Sequence, residues 1–147
     1  MDSLQAYFLL DHKPNLTIGL NLSIAMLQED ANWIVSEYQL HSIALNKELS
    51  QLLIRKQQSD YSKEIIYWVS QRINDIEEEP ILLSDIEILF EPSFKLDPLV
   101  IFKQASRNKK LLVLWPGEFR NNKLGYAIPE HAHYRYWIDP GVEIIHV

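Results

Sequence analysis

Apolar and polar positions alternate with two different periods along this chain. Leu16-Thr17-Ile18-Gly19-Leu20-Asn21-Leu22-Ser23-Ile24 switches strictly between apolar and small or polar residues. That period of two predicts a strand. Leu4 to Leu10 is a short apolar segment that suits a helix, and Trp33 to Ser36 is a second candidate strand. Asn46 is a predicted cap for a helix over Lys47–Lys56, with Leu49, Leu52 and Leu53 on one face. A longer helix is predicted from Tyr61 to about Glu78, capped by Asp60, because Ile65, Val69, Ile73 and Ile76 recur at helical spacing. The acids Glu77-Glu78-Glu79 fall at its carboxyl end, where the helix dipole disfavours them, and Pro80 follows.

The next stretch is almost continuously apolar. Ile81-Leu82-Leu83 and Ile86-Ile88-Leu89-Phe90 together predict one buried parallel strand ending near Phe90. Asp97-Pro98 predicts a helix start, with a capping carboxylate followed by proline at the first helical position. Leu99, Phe102 and Ala105 supply its buried face, and Asn108 is the expected end. Lys110 to Trp115 predicts a second apolar strand, closed by Pro116-Gly117. Strand, helix and strand in this order predict a right-handed βαβ unit with the two strands parallel in one sheet. The tail is rich in turns. Asn121-Asn122 marks one, and short strands are predicted near Leu124–Ala127, Tyr134–Trp137 and Val142–His146.

Length and composition narrow the class. The chain has 147 residues, 47% of them hydrophobic, which suits one domain with a proper core. No apolar run reaches the roughly 20 residues of a membrane span. The start, Met1-Asp2-Ser3-Leu4, lacks the basic region of a signal peptide, and there are no cysteines, so a cytoplasmic location is expected. The net charge of −6 is carried by residues 1–79. The stretch 95–123 is locally basic, with Lys95, Lys103, Arg107, Lys109, Lys110, Arg120 and Lys123 against Asp97 and Glu118. Such a stretch suits an acidic partner, or it is simply a solvated helix end with two turns.

From about Ala44 to Arg135 the chain resembles the small P-loop protein of bacteriophage-exclusion (BREX) defence systems. The resemblance rests on Leu45-Asn46-Lys47-Glu48-Leu49-Ser50, Asp85-Ile86-Glu87-Ile88-Leu89-Phe90, Leu96-Asp97-Pro98-Leu99, Ser106-Arg107-Asn108, Trp115-Pro116-Gly117, and Tyr126-Ala127 followed by Tyr134-Arg135. It implies a P-loop fold, a nucleotide site and a role in antiviral defence. It also implies a glycine-rich phosphate loop after the first strand. That loop needs glycines whose neighbouring N–H groups wrap the phosphates, a lysine for the terminal oxygens and a hydroxyl for magnesium. This chain has four glycines, Gly19, Gly117, Gly125 and Gly141, none followed by lysine. Where the loop is due, it runs Leu20-Asn21-Leu22-Ser23-Ile24-Ala25. The expected fold is therefore a single degenerate P-loop-like α/β domain over 1–147. It has a mainly parallel sheet flanked by helices, and a turn-rich β tail.

Three constellations carry candidate chemistry. Asp85 and Glu87 end the buried strand, where P-loop enzymes place carboxylates for magnesium and water. The resembling family has its first acid one position earlier, at Ser84 here. As i and i+2 of a strand the two acids would share a side and could bind a cation, or they sit at the rim and pair with neighbouring bases. His131 and His133, in Glu130-His131-Ala132-His133, would share a face on a strand and could hold zinc with His146 or Glu130, or they are simply exposed. Tyr126, Tyr134, Tyr136 and Trp137 lie near Arg120, Lys123 and Arg135, a mixture that suits single-stranded nucleic acid, a protein interface or plain core. Without the loop, neither ATPase activity nor a bound cofactor is expected. The reading is a non-catalytic, P-loop-derived adaptor for a protein partner in a defence complex. The contacts are assigned to Lys103, Arg107, Lys109, Lys110, Arg120 and Lys123. The alternative is a nucleotide- or nucleic-acid-binding module using 95–123.

Overall fold

The computed structural model describes residues 16–20, 41–56 and 61–146. The strand order of its main sheet is built from three long-range pairings. β1 (Leu16–Leu20) runs parallel to β4 (Leu111–Trp115) on one side and to β8 (Glu143–His146) on the other. β3 (Ile81–Ser84) joins β4 to the edge strand β2 (His41–Ala44), again in parallel. The order is β2-β3-β4-β1-β8. The chain is thus α/β with a mainly parallel sheet flanked by helices, as the sequence predicts.

Three described helices cover one face. α1 (Leu45–Leu53) buries Leu45, Leu49 and Leu53. α2 (Tyr61–Asn74) buries Ile65, Val69 and Ile73, and Ile76 stays buried just beyond its end. α3 (Pro98–Ala105) buries Leu99, Ile101 and Phe102. These residues form one cluster with Ile18, Ile43, Leu83, Val113 and Trp115 of the sheet. The opposite sheet face carries Thr17, Leu82, Leu112 and Leu114, which are buried too and stand outside that cluster. Burial on both faces explains why β3 and β4 read as unbroken apolar runs.

The βαβ unit over 81–115 is present: β3 and β4 are parallel neighbours joined through α3. Asp97 caps α3, its carboxylate accepting from the Val100 N–H at 3.2 Å. The helix closes at Ser106 rather than Asn108. Three other expectations need correction. The strand expected to reach Phe90 stops at Ser84, because Asp85 turns into the left-handed region (φ 49°) and Glu87–Phe90 coils into a 3₁₀ helix that buries Leu89 and Phe90. Asn46 lies inside α1 and is not its cap; that position is Ala44, with no side-chain bond. The long helix ends at Asn74, before the acidic run. The Glu79 carboxylate instead accepts from the Lys110 N–H at 2.9 Å, tying the approach to β3 to the approach to β4. The predicted segments at Leu4–Leu10 and Trp33–Ser36, Asn21–Ile24 of the first strand and the cap Asp60 lie outside the described residues.

The tail forms a second, antiparallel sheet of β5 (Gly117–Arg120), β6 (Lys123–Tyr126) and β7 (Arg135–Ile138) before β8 returns to the main sheet. Asn121 and Asn122 both take positive φ, 53° and 60°. That is the two-residue hairpin turn whose twist matches paired strands. Gly117 is required for close approach: a Cβ there would stand 1.8 Å from the Gly125 carbonyl oxygen.

Candidate functional site

The strands of the main sheet end at Leu20, Ala44, Ser84, Trp115 and His146, and these ends define its carboxyl edge. The strand order reverses around β1, since β2 is placed at the far edge while β4 and β8 flank β1. In open α/β sheets ligands bind beyond the carboxyl ends at such a switch point.

Asp85 and Glu87 lie on this edge, but not as neighbours on a strand. The left-handed backbone at Asp85 breaks the i, i+2 relation. The Asp85 carbonyl accepts from the Asn46 N–H at 2.7 Å. The Asn46 side-chain amide donates to Glu87 Oε2 at 2.7 Å, and its Oδ1 accepts from the Ile88 N–H at 2.8 Å. Glu87 and Asn46 thus clamp the start of α1 to the 3₁₀ helix after β3. Neither acid pairs with a basic side chain among the described ion pairs.

Behind the clamp is an aromatic cluster. Phe90 stacks on Tyr126 with ring centroids 3.9 Å apart, and meets Trp115 edge-on at 5.1 Å. Trp137 packs edge-on against Trp115 at 5.4 Å. Trp115 Nε1 donates to the Gly125 carbonyl at 2.9 Å, which satisfies the one polar group of a fully buried ring. The Tyr126 phenol is held above the ordinary value of 10.0, first by burial and then by the negative charges of Glu87 and Glu91.

A cleft of about 490 Å³ opens beside α3, lined by Glu91, Lys95, Asp97, His133, Tyr134 and Arg135 among others. Arg135 Nη1 donates to the Leu96 carbonyl at 2.9 Å, and its guanidinium lies 5.0 Å from the Trp137 ring. Trp137 Nε1 donates to the capping carboxylate of Asp97 at 3.2 Å. Arg135 and Asp97 of this cleft therefore hold the small sheet against the start of α3.

His131 and His133 lie in the turn before β7, so they do not share the face that a strand would give them. Pro129 and the following turn residues keep this segment out of the ladder. His131 Nδ1 accepts from the His133 N–H at 3.0 Å, and the rings meet edge-on at 5.6 Å. Among the described residues no group of three or more potential ligands converges on a metal position.

The six basic residues are spread over two regions. Arg107, Lys109 and Lys110 immediately precede β4, at the amino edge of the sheet, opposite the carboxyl ends. Lys103, in the last turn of α3, lines a cleft of about 680 Å³ at that same edge together with Asn122, Asp139 and Glu143. Arg120 and Lys123 are partners across the β5–β6 turn and share the outward face of the small sheet. Of the four tail aromatics, Tyr126 and Trp137 belong to the interior, Tyr136 is 53% exposed, and Tyr134 is half-buried with its ring beside the buried Gly125. The Asn46–Glu87 clamp and the setting of Gly125 were not foreseen from sequence. The signal for Gly125 was the Asn121-Asn122 turn, from which the register can be counted back.

No protein-family description, curated protein or solved structure matches this chain. Among the described residues no helix is long and apolar enough to cross a membrane.

Proposed function

We propose that this chain is a non-catalytic, P-loop-derived adaptor that acts through protein contacts, in bacterial antiphage defence. The observation that carries the reading is the use made of Glu87. A water-orienting or metal-binding acid must face a phosphate site, whereas the Glu87 carboxylate is engaged by Asn46 at 2.7 Å in holding two helices together. Two features support it. The switch point beside β1 is where a P-loop protein places its glycine-rich loop, and here the sequence after Leu20 has neither glycine nor lysine in Asn21-Leu22-Ser23-Ile24. The cluster Arg107, Lys109 and Lys110 lies at the opposite edge, badly placed for a nucleotide and well placed for an acidic protein surface.

The test pairs a phosphate-release assay with thermal unfolding. Wild type should release no phosphate from Mg-ATP above the buffer rate, and Glu87→Ala should lower Tm. Turnover by wild type that is lost in Glu87→Ala without a change in Tm would replace this reading with an enzymatic one.

A further inference from the structure

The small sheet ends at an unpaired strand. Its order is β5-β6-β7, and no described strand pairs with the far side of β7. The ladder fixes which groups face that side. The Asp139 N–H donates to the Asn122 carbonyl at 2.9 Å, so these residues form a hydrogen-bonded pair one step beyond the β6–β7 register. Such pairs alternate along an antiparallel ladder. Arg135 and Trp137 therefore bond to β6, while the N–H and C=O groups of Tyr136 and Ile138 point away from it. The side chains of these same two residues are 53% and 69% exposed. The other described strands with an unpaired side expose polar residues instead: His41 and Ser42 on β2, Glu143 and His146 on β8, Glu118 and Arg120 on β5. β7 also lacks the lysine or proline that commonly guards a sheet edge, and its one charged residue, Arg135, donates to the Leu96 carbonyl.

We infer that β7 pairs antiparallel with β7 of a second copy of this chain, about a two-fold axis at Trp137. A two-fold contact must be its own complement. Residues directly opposite each other in an antiparallel pair share a face and, at alternate positions, exchange both hydrogen bonds. An axis at Trp137 sets Tyr136 opposite Ile138 of the second copy, and Ile138 opposite its Tyr136. Every outward-pointing backbone group of β7 is then bonded, and the two exposed side chains cover each other as cross-strand pairs. An axis at Tyr136 would instead need the Tyr134 N–H, which already donates to the His131 carbonyl at 3.1 Å. The register at Trp137 also sets Arg135 across from Asp139 of the second copy, opposite charges that meet on both sides of the axis. This match is a property of the chain against itself, and it selects a second copy over a foreign strand. β7 has 4 residues, so the contact belongs to the small, transient class of interfaces. The inference stands apart from the adaptor reading, because it uses none of the residues assigned to that role.

The experiment dilutes the full chain from about 1 mM to about 10 μM, the range in which weak contacts dissociate, while sedimentation and amide resonances are followed. Sedimentation should show a reversible monomer–dimer equilibrium. With rising concentration the Tyr136 and Ile138 amides should shift and gain protection from hydrogen exchange. The Arg135 and Trp137 amides, already bonded to β6, should gain little protection. Tyr136→Lys with Ile138→Lys sets like charges opposite each other in both pairs and should weaken association by about tenfold or more. Tyr136→Lys with Ile138→Glu sets opposite charges in both pairs and should retain it. Both positions are exposed, so each variant should unfold near the wild-type temperature. The inference is overturned if the chain sediments as a monomer throughout, which includes the case of an edge reserved for a foreign strand. It is also overturned if the concentration-dependent shifts centre on another strand, or if the two double variants associate equally.

Discussion

Single residues fix the junction between the two sheets. Gly117 is needed because its Cα passes so close to the Gly125 carbonyl that any Cβ would collide at 1.8 Å. Gly117→Ala should therefore cost about 1–3 kcal/mol as strain or displaced backbone, read as a lower midpoint in urea unfolding. Gly125→Ala in the same assay should cost less, because a Cβ at this buried position makes only ordinary contact, 3.4 Å from the Tyr134 ring. Tyr126 makes a different prediction. Its phenol is held above its ordinary pKa by burial and by Glu87 and Glu91, so the folded state keeps the proton more tightly than the unfolded chain. That stabilisation is complete below the ordinary value of 10.0 and is lost as pH rises through the higher folded value. Stability of wild type should fall above pH ~10, and Tyr126→Phe should remove part of the fall. Equal alkaline sensitivity in the two proteins would show that Tyr126 does not titrate differently on folding.

At the scale of elements, sequence legibility followed the locality of the signals. Asp97-Pro98 announced α3 because a cap and a proline act within one turn, and the structure keeps that start. The helical spacing of Ile65, Val69 and Ile73 likewise survived as the buried stripe of α2. The end of β3 did not. An apolar run cannot distinguish a strand from a strand followed by a buried 3₁₀ helix, since both bury Leu89 and Phe90. The deciding feature is the left-handed turn at Asp85, which leaves no mark in the hydrophobic pattern. Asn46 was misread for a related reason. Its type suits a cap, but its partners, Glu87 and Ile88, lie far along the chain. Asn46→Ala should cost about 1–3 kcal/mol, because it strips partners from two half-buried groups at once. At the other junction, Asp97→Ala removes both the α3 cap and the acceptor of Trp137 Nε1. It should cost at least the ~1 kcal/mol typical of a lost cap, measured by thermal unfolding.

For the whole molecule, the order β2-β3-β4-β1-β8 brings together strands from both ends of the described chain. The β1–β8 pairing was not foreseen, although both strands were, because nothing local to Glu143–His146 names its neighbour. The candidate site was legible in part. Residue types at Asp85, Glu87, His131 and His133 suggested ligands, while backbone geometry set them in turns and clamps. The basic residues sit mostly at the amino edge, so replacing Arg107, Lys109 and Lys110 by alanine should leave stability within about 0.5 kcal/mol. The central proposal is that the carboxyl edge of this sheet does not receive a nucleotide. Calorimetric titration of the full chain with Mg-ATP tests it most directly. The account predicts no saturable heat at millimolar nucleotide. Saturable binding at micromolar concentration, abolished by Asp85→Ala in a variant that unfolds at the wild-type temperature, would contradict it.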